Sequence, residues 1–269
     1  MKKIAFLALI LLLPANHALA QVPERPDYEL VLLPLNVKNI PGAHGSVWTS
    51  VFTIFNAGTS AAKYYPEGIT CPFTCLPPNT LIGEIAPLRT LRPDTNFGPP
   101  QRGPGALFYL ERTTADQIGV SLRSQDLSRQ SETFGTEIPV VRENELKNGE
   151  LYLSTAPPLA GFRQMLRIYE VDRPPSAEFF VQFFNHDGEV VNELVVSTRW
   201  PEEEAIPAGF YSSPGYAEVP GLELLLPPDQ MGGRGASVII RPMTEGVRYW
   251  GFVSVTHDQT QHVTILTPQ

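Results

Sequence analysis

Beyond residue 20, apolar residues fall in runs of four to eight, separated by clusters of Pro, Gly, Asn and Asp about every ten residues. That rhythm belongs to strands joined by turns, and no stretch keeps the periodicity of an amphipathic helix. It predicts strands over Glu29–Leu35, Val47–Asn56, Ala106–Glu111, Ile118–Ser124, Leu151–Thr155, Gln164–Glu170, Glu178–Asn185, Glu189–Thr198, Ser237–Arg241 and Tyr249–His257, with His262–Thr267 closing the chain. Along Glu178–Phe184, alternation sends Phe179, Val181 and Phe183 to one face and Phe180 and Phe184 to the other. One set fills a core; the second, with Gln182 between, needs cover from elsewhere in the chain or from a partner.

The two halves carry matching landmarks in the same order. Glu29-Leu30-Val31-Leu32 recurs as Glu150-Leu151-Tyr152-Leu153, and Gly45-Ser46-Val47-Trp48 is echoed by Ala160-Gly161-Phe162. Gly105-Ala106-Leu107-Phe108 matches Gly235-Ala236-Ser237-Val238, and Gly119-Val120-Ser121 with Gln125-Asp126 matches Gly251-Phe252-Val253 with His257-Asp258. Each half closes on a short strand before a proline, Pro139 or Pro268. The expectation is an all-β chain of two tandem antiparallel β-sandwich domains, 27–145 and 149–269, each of ordinary domain length. They meet at the polar stretch 142–149.

Composition agrees. Proline (27) and glycine (21) are high, charged residues are 18%, and the apolar fraction of 42% is ample for packed cores. Residues 1–20 read as a cleaved signal peptide: Lys2 and Lys3, the apolar run Ile4–Leu13, then Ala18-Leu19-Ala20, with cleavage after Ala20. The run is shorter than the ~20 residues that span a bilayer, so no membrane span is expected. The whole chain has 20 basic and 28 acidic side chains, net −8; without Lys2 and Lys3 it has 18 and 28, net −10. That balance argues against nucleic acid as a partner. Export to the periplasm or beyond makes a local disulfide the simplest use of the two cysteines, Cys71 and Cys75.

The run Pro41-Gly42-Ala43-His44-Gly45-Ser46-Val47-Trp48-Thr49, followed by Phe55-Asn56-Ala57-Gly58, resembles a pattern in exported bacterial proteins that repeat a β-sandwich unit. Ser254-Val255-Thr256-His257-Asp258 and Thr267-Pro268 are similar to that unit's last hairpin. The resemblance implies Ig-like architecture in both halves and no assigned activity. This chain departs from the pattern in its Cys-bearing insertion, 66–80, and in the insertion 200–217.

Signatures of catalysis are sparse. H-E-x-x-H, G-x-S-x-G, a P-loop and a dinucleotide fingerprint are absent from the sequence. His186, in Asn185-His186-Asp187-Gly188, belongs to a hairpin turn. His257 and His262 would face each other across a hairpin loop beside Asp258, two imidazoles where zinc wants three or four ligands. Glu202, Glu203 and Glu204 are a candidate calcium or glycosidase cluster, or a solvated acidic turn. The reading is therefore a non-enzymatic exported binding or structural module with no cofactor. A two-sandwich periplasmic chaperone and a carboxylate-dependent polysaccharide hydrolase are the alternatives. The candidate contact surface comprises His44, Tyr64, Tyr65, Phe180, Phe184, Trp200, Tyr211 and Tyr216, with an envelope protein or a glycan as partner.

Overall fold

A computed structural model describes residues 27–65, 83–92, 105–129, 134–172, 176–200 and 213–269. Among them the chain is all-β and antiparallel. The first half contains β1 (Tyr28–Leu33), β2 (Ile40–Pro41), β3 (Val47–Asn56), β4 (Ala62–Tyr65), β5 (Gly83–Ile85), β6 (Thr90–Leu91), β7 (Ala106–Glu111), β8 (Ile118–Asp126), β9 (Thr136–Ile138) and β10 (Val141–Arg142). The second contains β11 (Leu151–Ser154), β12 (Phe162–Glu170), β13 (Glu178–Phe184), β14 (Val190–Ser197), β15 (Gly215–Pro220), β16 (Ser237–Pro242), β17 (Tyr249–His257) and β18 (Val263–Leu266). Against the expectation of no helix, two single turns, α1 (Leu222–Leu225) and α2 (Pro228–Met231), follow β15. One turn is too short to leave a 3.6-residue signature.

The strands form four sheets. Sheet I runs β10-β1-β7-β4-β5, and sheet II runs β2-β3-β8-β9 with β6 on β3. Sheet III runs β11-β16-β13-β14, and sheet IV runs β15-β12-β17-β18. With β2 and β10 set aside, the strands of each half stand in the order 1-6-3-4 in one sheet and 5-2-7-8 in the other. The side chains fix a finer point. Val31 pairs with Phe108 and Leu153 with Val238, and all four point into cores. Val31 therefore corresponds to Leu153, one residue away from the alignment by landmarks. By the same argument Val120 corresponds to Gly251, which moves the Gly119–Gly251 match by one. A one-residue slip puts every side chain on the wrong face, so burial settles the register.

Among the described residues three apolar clusters hold the fold together. Sheets I and II enclose Val31, Leu33, Phe52, Ile54, Phe108 and Leu122, with the Phe52 and Phe108 rings 5.7 Å apart. Sheets III and IV enclose Leu151, Leu166, Phe179, Phe183, Val238 and Val253. The third cluster lies between the halves. Leu30, Leu32, Leu107, Tyr109 and Val141 on the outer face of sheet I meet Tyr169, Val171, Trp250 and Phe252 on the outer face of sheet IV. Tyr169 and Phe252 stack with centroids 6.1 Å apart, and the buried Tyr169 hydroxyl donates to the Pro34 carbonyl. Burial pushes that hydroxyl's pKa well up, so it stays a donor.

Polar contacts frame this junction. Arg248 reaches Asp172 at 2.7 Å and Glu143 at 2.9 Å, and Glu143 also takes Arg112 at 2.8 Å. Lys147, in the connection between halves, exchanges both backbone hydrogen bonds with Tyr249 at 2.8 Å.

Candidate binding surface

The outer face of sheet III is set by alternation. Along β13, Phe179, Val181 and Phe183 enter the core, which leaves Phe180, Gln182 and Phe184 outside and half-buried. Register assembles three rows across the sheet. Arg241, Phe180 and Val195 form one, and Tyr152, Ile239, Gln182 and Glu193 the second. Ser154, Ser237, Phe184 and Val190 form the third. Tyr152, Val190 and Val195 are 48%, 49% and 52% exposed, high for such side chains on one sheet face. The hairpin that delivers β14 is the turn expected at 185–188: Asn185 Oδ1 accepts from the amides of Asp187 and Glu189, and Gly188 takes φ 82°.

Polar groups cross this apolar floor as a string. The Tyr152 hydroxyl donates to Glu150, and Arg241 Nε donates to Glu150 Oε1 at 2.6 Å. Arg241 also donates to Gln182, whose amide donates to Glu193 Oε2 at 3.3 Å. The hydrogen bonds from Tyr152 and Arg241 hold the Glu150 carboxyl below its usual range, and the bond to Glu150 raises the Tyr152 hydroxyl. With Glu150 and Arg241 paired, the face offers hydrogen bonds and ring contact more than net charge. That suits an amphipathic ligand: apolar faces can rest on Tyr152 and Val195 while polar edges meet Gln182, Glu193 and Arg241.

The other nominated residues scatter. Tyr64 is buried in the core of the first half, where desolvation raises its pKa, so it is not a contact residue. Its neighbour Tyr65 lies opposite Tyr109 on the sheet I ladder. His44 is exposed, with Nε2 3.8 Å from Asp258 Oδ1 of the second half. Tyr216 packs at the edge of the cluster between the halves, under the Arg199 guanidinium at 5.6 Å. Half-buried Trp200 lies against Gly215, where a Cβ would come within 2.8 Å of the indole. Tyr211, Cys71, Cys75, Glu202, Glu203 and Glu204 lie outside the described residues, as do residues 1–20. Thus Phe180 and Phe184 share a face, which His44, Tyr64 and Tyr216 do not join.

His257 and His262 do face each other, with the His257 amide donating to the His262 carbonyl at 3.0 Å. The His257 ring is held within its own hairpin. His257 Nδ1 accepts from the loop amides of Gln259 and Thr260, both at 3.2 Å, and its ring meets Phe162 edge-on. Arg163 takes the Asp258 carboxylate at 2.9 Å. Among the described residues no three His, Cys, Asp or Glu side chains converge as a metal site. A groove of about 480 Å³ between β9 and β18 is lined by Thr136, Glu137, His262 and Thr264, an open cleft where the halves meet.

Tyr152, Arg241, Glu150, Glu193 and Val195 were not nominated from sequence. Leu151-Tyr152-Leu153 did carry a signal, since alternation turns Tyr152 away from a core that takes both leucines. The ladder that joins Arg241 to Phe180 is long-range and leaves no local trace. Comparison of the chain with protein-family models, with characterised proteins and with solved structures gives no match.

Proposed function

We propose that the protein is a non-enzymatic, exported binding or structural module of the cell envelope or extracellular space. In this reading it is built of two tandem Ig-like sandwiches and uses the outer face of sheet III as its contact surface. The observation that carries the reading is that face, with Tyr152, Val190 and Val195 about half exposed beside Phe180, Phe184 and Ile239, crossed by the string Glu150–Arg241–Gln182–Glu193. A contiguous apolar surface with ordered hydrogen-bonding groups is characteristic of an interaction site. Cross-half contacts through Tyr169, Phe252 and Arg248 support a firm platform that holds the face in one geometry. Ig-like is meant in layers and in part of the pairing. Strand 3 beside 6 and strand 2 beside 5 agree with the immunoglobulin order, whereas strand 1 lies beside 6 and not 2, and strand 7 beside 2 and not 6.

The test immobilises the chain from Gln21 onward and exposes it to separated polysaccharide and protein fractions of the envelope. Two variants run in parallel: Tyr152→Ala with Phe180→Ala, and Thr53→Ala on the outer face of sheet II as control. Saturable capture that the first variant loses and the second keeps supports the reading. Capture that ignores both variants, or none at micromolar bait, overturns it.

A further inference from the structure

The long edges of the sheets in the second half are not treated alike. β11 receives the Gln269 amide on the Tyr152 carbonyl at 3.2 Å. β15 is bridged by Arg199, which exchanges backbone bonds with Tyr216 at 2.9 and 3.0 Å. On β18 the Val263 carbonyl accepts from Thr136 Oγ1 of the first half at 3.1 Å. β14 differs. Thr198 donates to Ala177 at 2.9 Å, so by the alternation of an antiparallel ladder Asn192, Leu194 and Val196 bond inward to β13. The N–H and C=O groups of Val195 and Ser197, and the C=O of Glu193, then point away from β13, and none of them has a hydrogen-bond partner among the described residues. The strand has neither the lysine nor the proline that usually blunts an edge, and Val195 stands 52% exposed on it.

We propose that β14 is a self-pairing edge: two copies of this chain join antiparallel at β14 about a twofold axis through Val195, fusing two copies of sheet III into one continuous sheet. Charge selects this register. With Val195 opposite Val195 of the second copy, Glu193 faces Ser197 and lies diagonal to Arg199 of the other chain, within reach of long side chains. Glu193, Val195, Ser197 and Arg199 are all exposed, at alternating positions. Among the described residues the Glu193 carboxylate takes an amide hydrogen bond from Gln182 and no salt bridge, and Arg199 rests over Tyr216, so both charges are available there. An axis through Leu194 would set the two Glu193 side chains diagonal to each other, like against like. An axis through Val196 would require the Arg199 backbone, which Tyr216 holds. Val195 thus exchanges both bonds with its counterpart, and each Ser197 amide donates to the Glu193 carbonyl of the other copy. The association would double the outer face of sheet III, but it stands on the edge geometry and not on the ligand-binding reading.

Sedimentation equilibrium of the full chain from Gln21 tests the inference, joined by cross-linking. The wild type is expected to dimerise reversibly with rising concentration. Val195→Pro removes the central amide and is expected to stay monomeric. Glu193→Arg, a surface change that leaves folding intact, is expected to weaken the dimer about tenfold, and adding Arg199→Glu to restore it. Val195→Cys is expected to form a disulfide-linked dimer under oxidation, and Val190→Cys, far from the axis, none. A wild type that remains monomeric at several hundred micromolar overturns the inference. So does a dimer indifferent to both Val195→Pro and Glu193→Arg, or cross-linking at residue 190 in preference to 195. Envelope-ligand capture by the monomer would leave the functional reading standing in any of those cases.

Discussion

Sheets I and III have the same strand order, yet one outer face is buried and the other open. On sheet I the outward pairs are Leu30 with Tyr109 and Leu32 with Leu107. At the corresponding places on sheet III stand Tyr152 with Ile239 and Ser154 with Ser237. The two serines replace the leucines that hold the centre of the junction. The second difference is the opposing surface. Sheet IV offers Tyr169, Trp250 and Phe252, whereas the corresponding places on sheet II hold Phe55, Gly119 and Ser121, beside Val51 and the polar Thr49, Thr53, Arg123 and Gln125. Two faces join where both are apolar at their centres, and the stack ends where serines stand at those central places, as in capped repeat proteins. The backbone is indifferent to this choice; outward side chains decide it.

Removing the aromatic side of the junction should have the largest effect. Phe252 is 1% exposed, stacks on Tyr169 and meets Trp250 at a tilt of 44°. Phe252→Ala is expected to cost about 3–5 kcal/mol in urea unfolding; a loss under 1 kcal/mol would mean the junction is loosely packed. Tyr169→Phe keeps the ring and deletes the donor to Pro34, leaving a buried carbonyl without it. About 1–3 kcal/mol is expected, read as a lowered denaturation midpoint at unchanged slope.

A pH experiment separates the first half from the junction. Burial pushes the Asp126 carboxyl up, but hydrogen bonds from Ser128, the Val47 amide and Arg129 outweigh it and hold the carboxyl below its usual range. A depressed carboxyl stabilises the fold above its unfolded pKa of about 3.9, and that contribution is lost as pH falls through the lower folded value. Asp126→Asn should therefore destabilise the protein at neutral pH by about 1 kcal/mol and flatten the acid limb. An acid limb identical in the variant would place the sensitivity elsewhere. The smallest effect belongs to the open face, where Tyr152→Ala should change stability by less than about 0.5 kcal/mol while, on the proposed function, abolishing ligand capture.

Most of the fold was legible because its long strands carry their own periodicity. Val47–Asn56, Ala106–Glu111 and Tyr249–His257 match the predicted spans to the residue. The two- and three-residue strands β2, β5, β6, β9 and β10 are too short to show alternation. β15 begins inside what read as the insertion 200–217 and runs three residues past it, although buried Ala217 and Val219 alternate with Tyr216 and Glu218. The site was less legible. That Phe180 and Phe184 share an outward face followed from local alternation, and alternation also turns Tyr64 inward with Ala62. No local rule says that Leu30 and Leu32 meet Phe252, although an unbroken apolar run on β1 does signal burial on both sides.

The most direct test of the comparison exchanges the central residues of the two faces. Leu32→Ser combined with Leu107→Ser gives the buried face the serines of the open one and leaves both cores intact. Calorimetry should show the wild type melting in one transition, and the double variant resolving into two, the first several degrees lower. A double variant that melts as one unit at the wild-type temperature would contradict the claim that these outward residues join the halves.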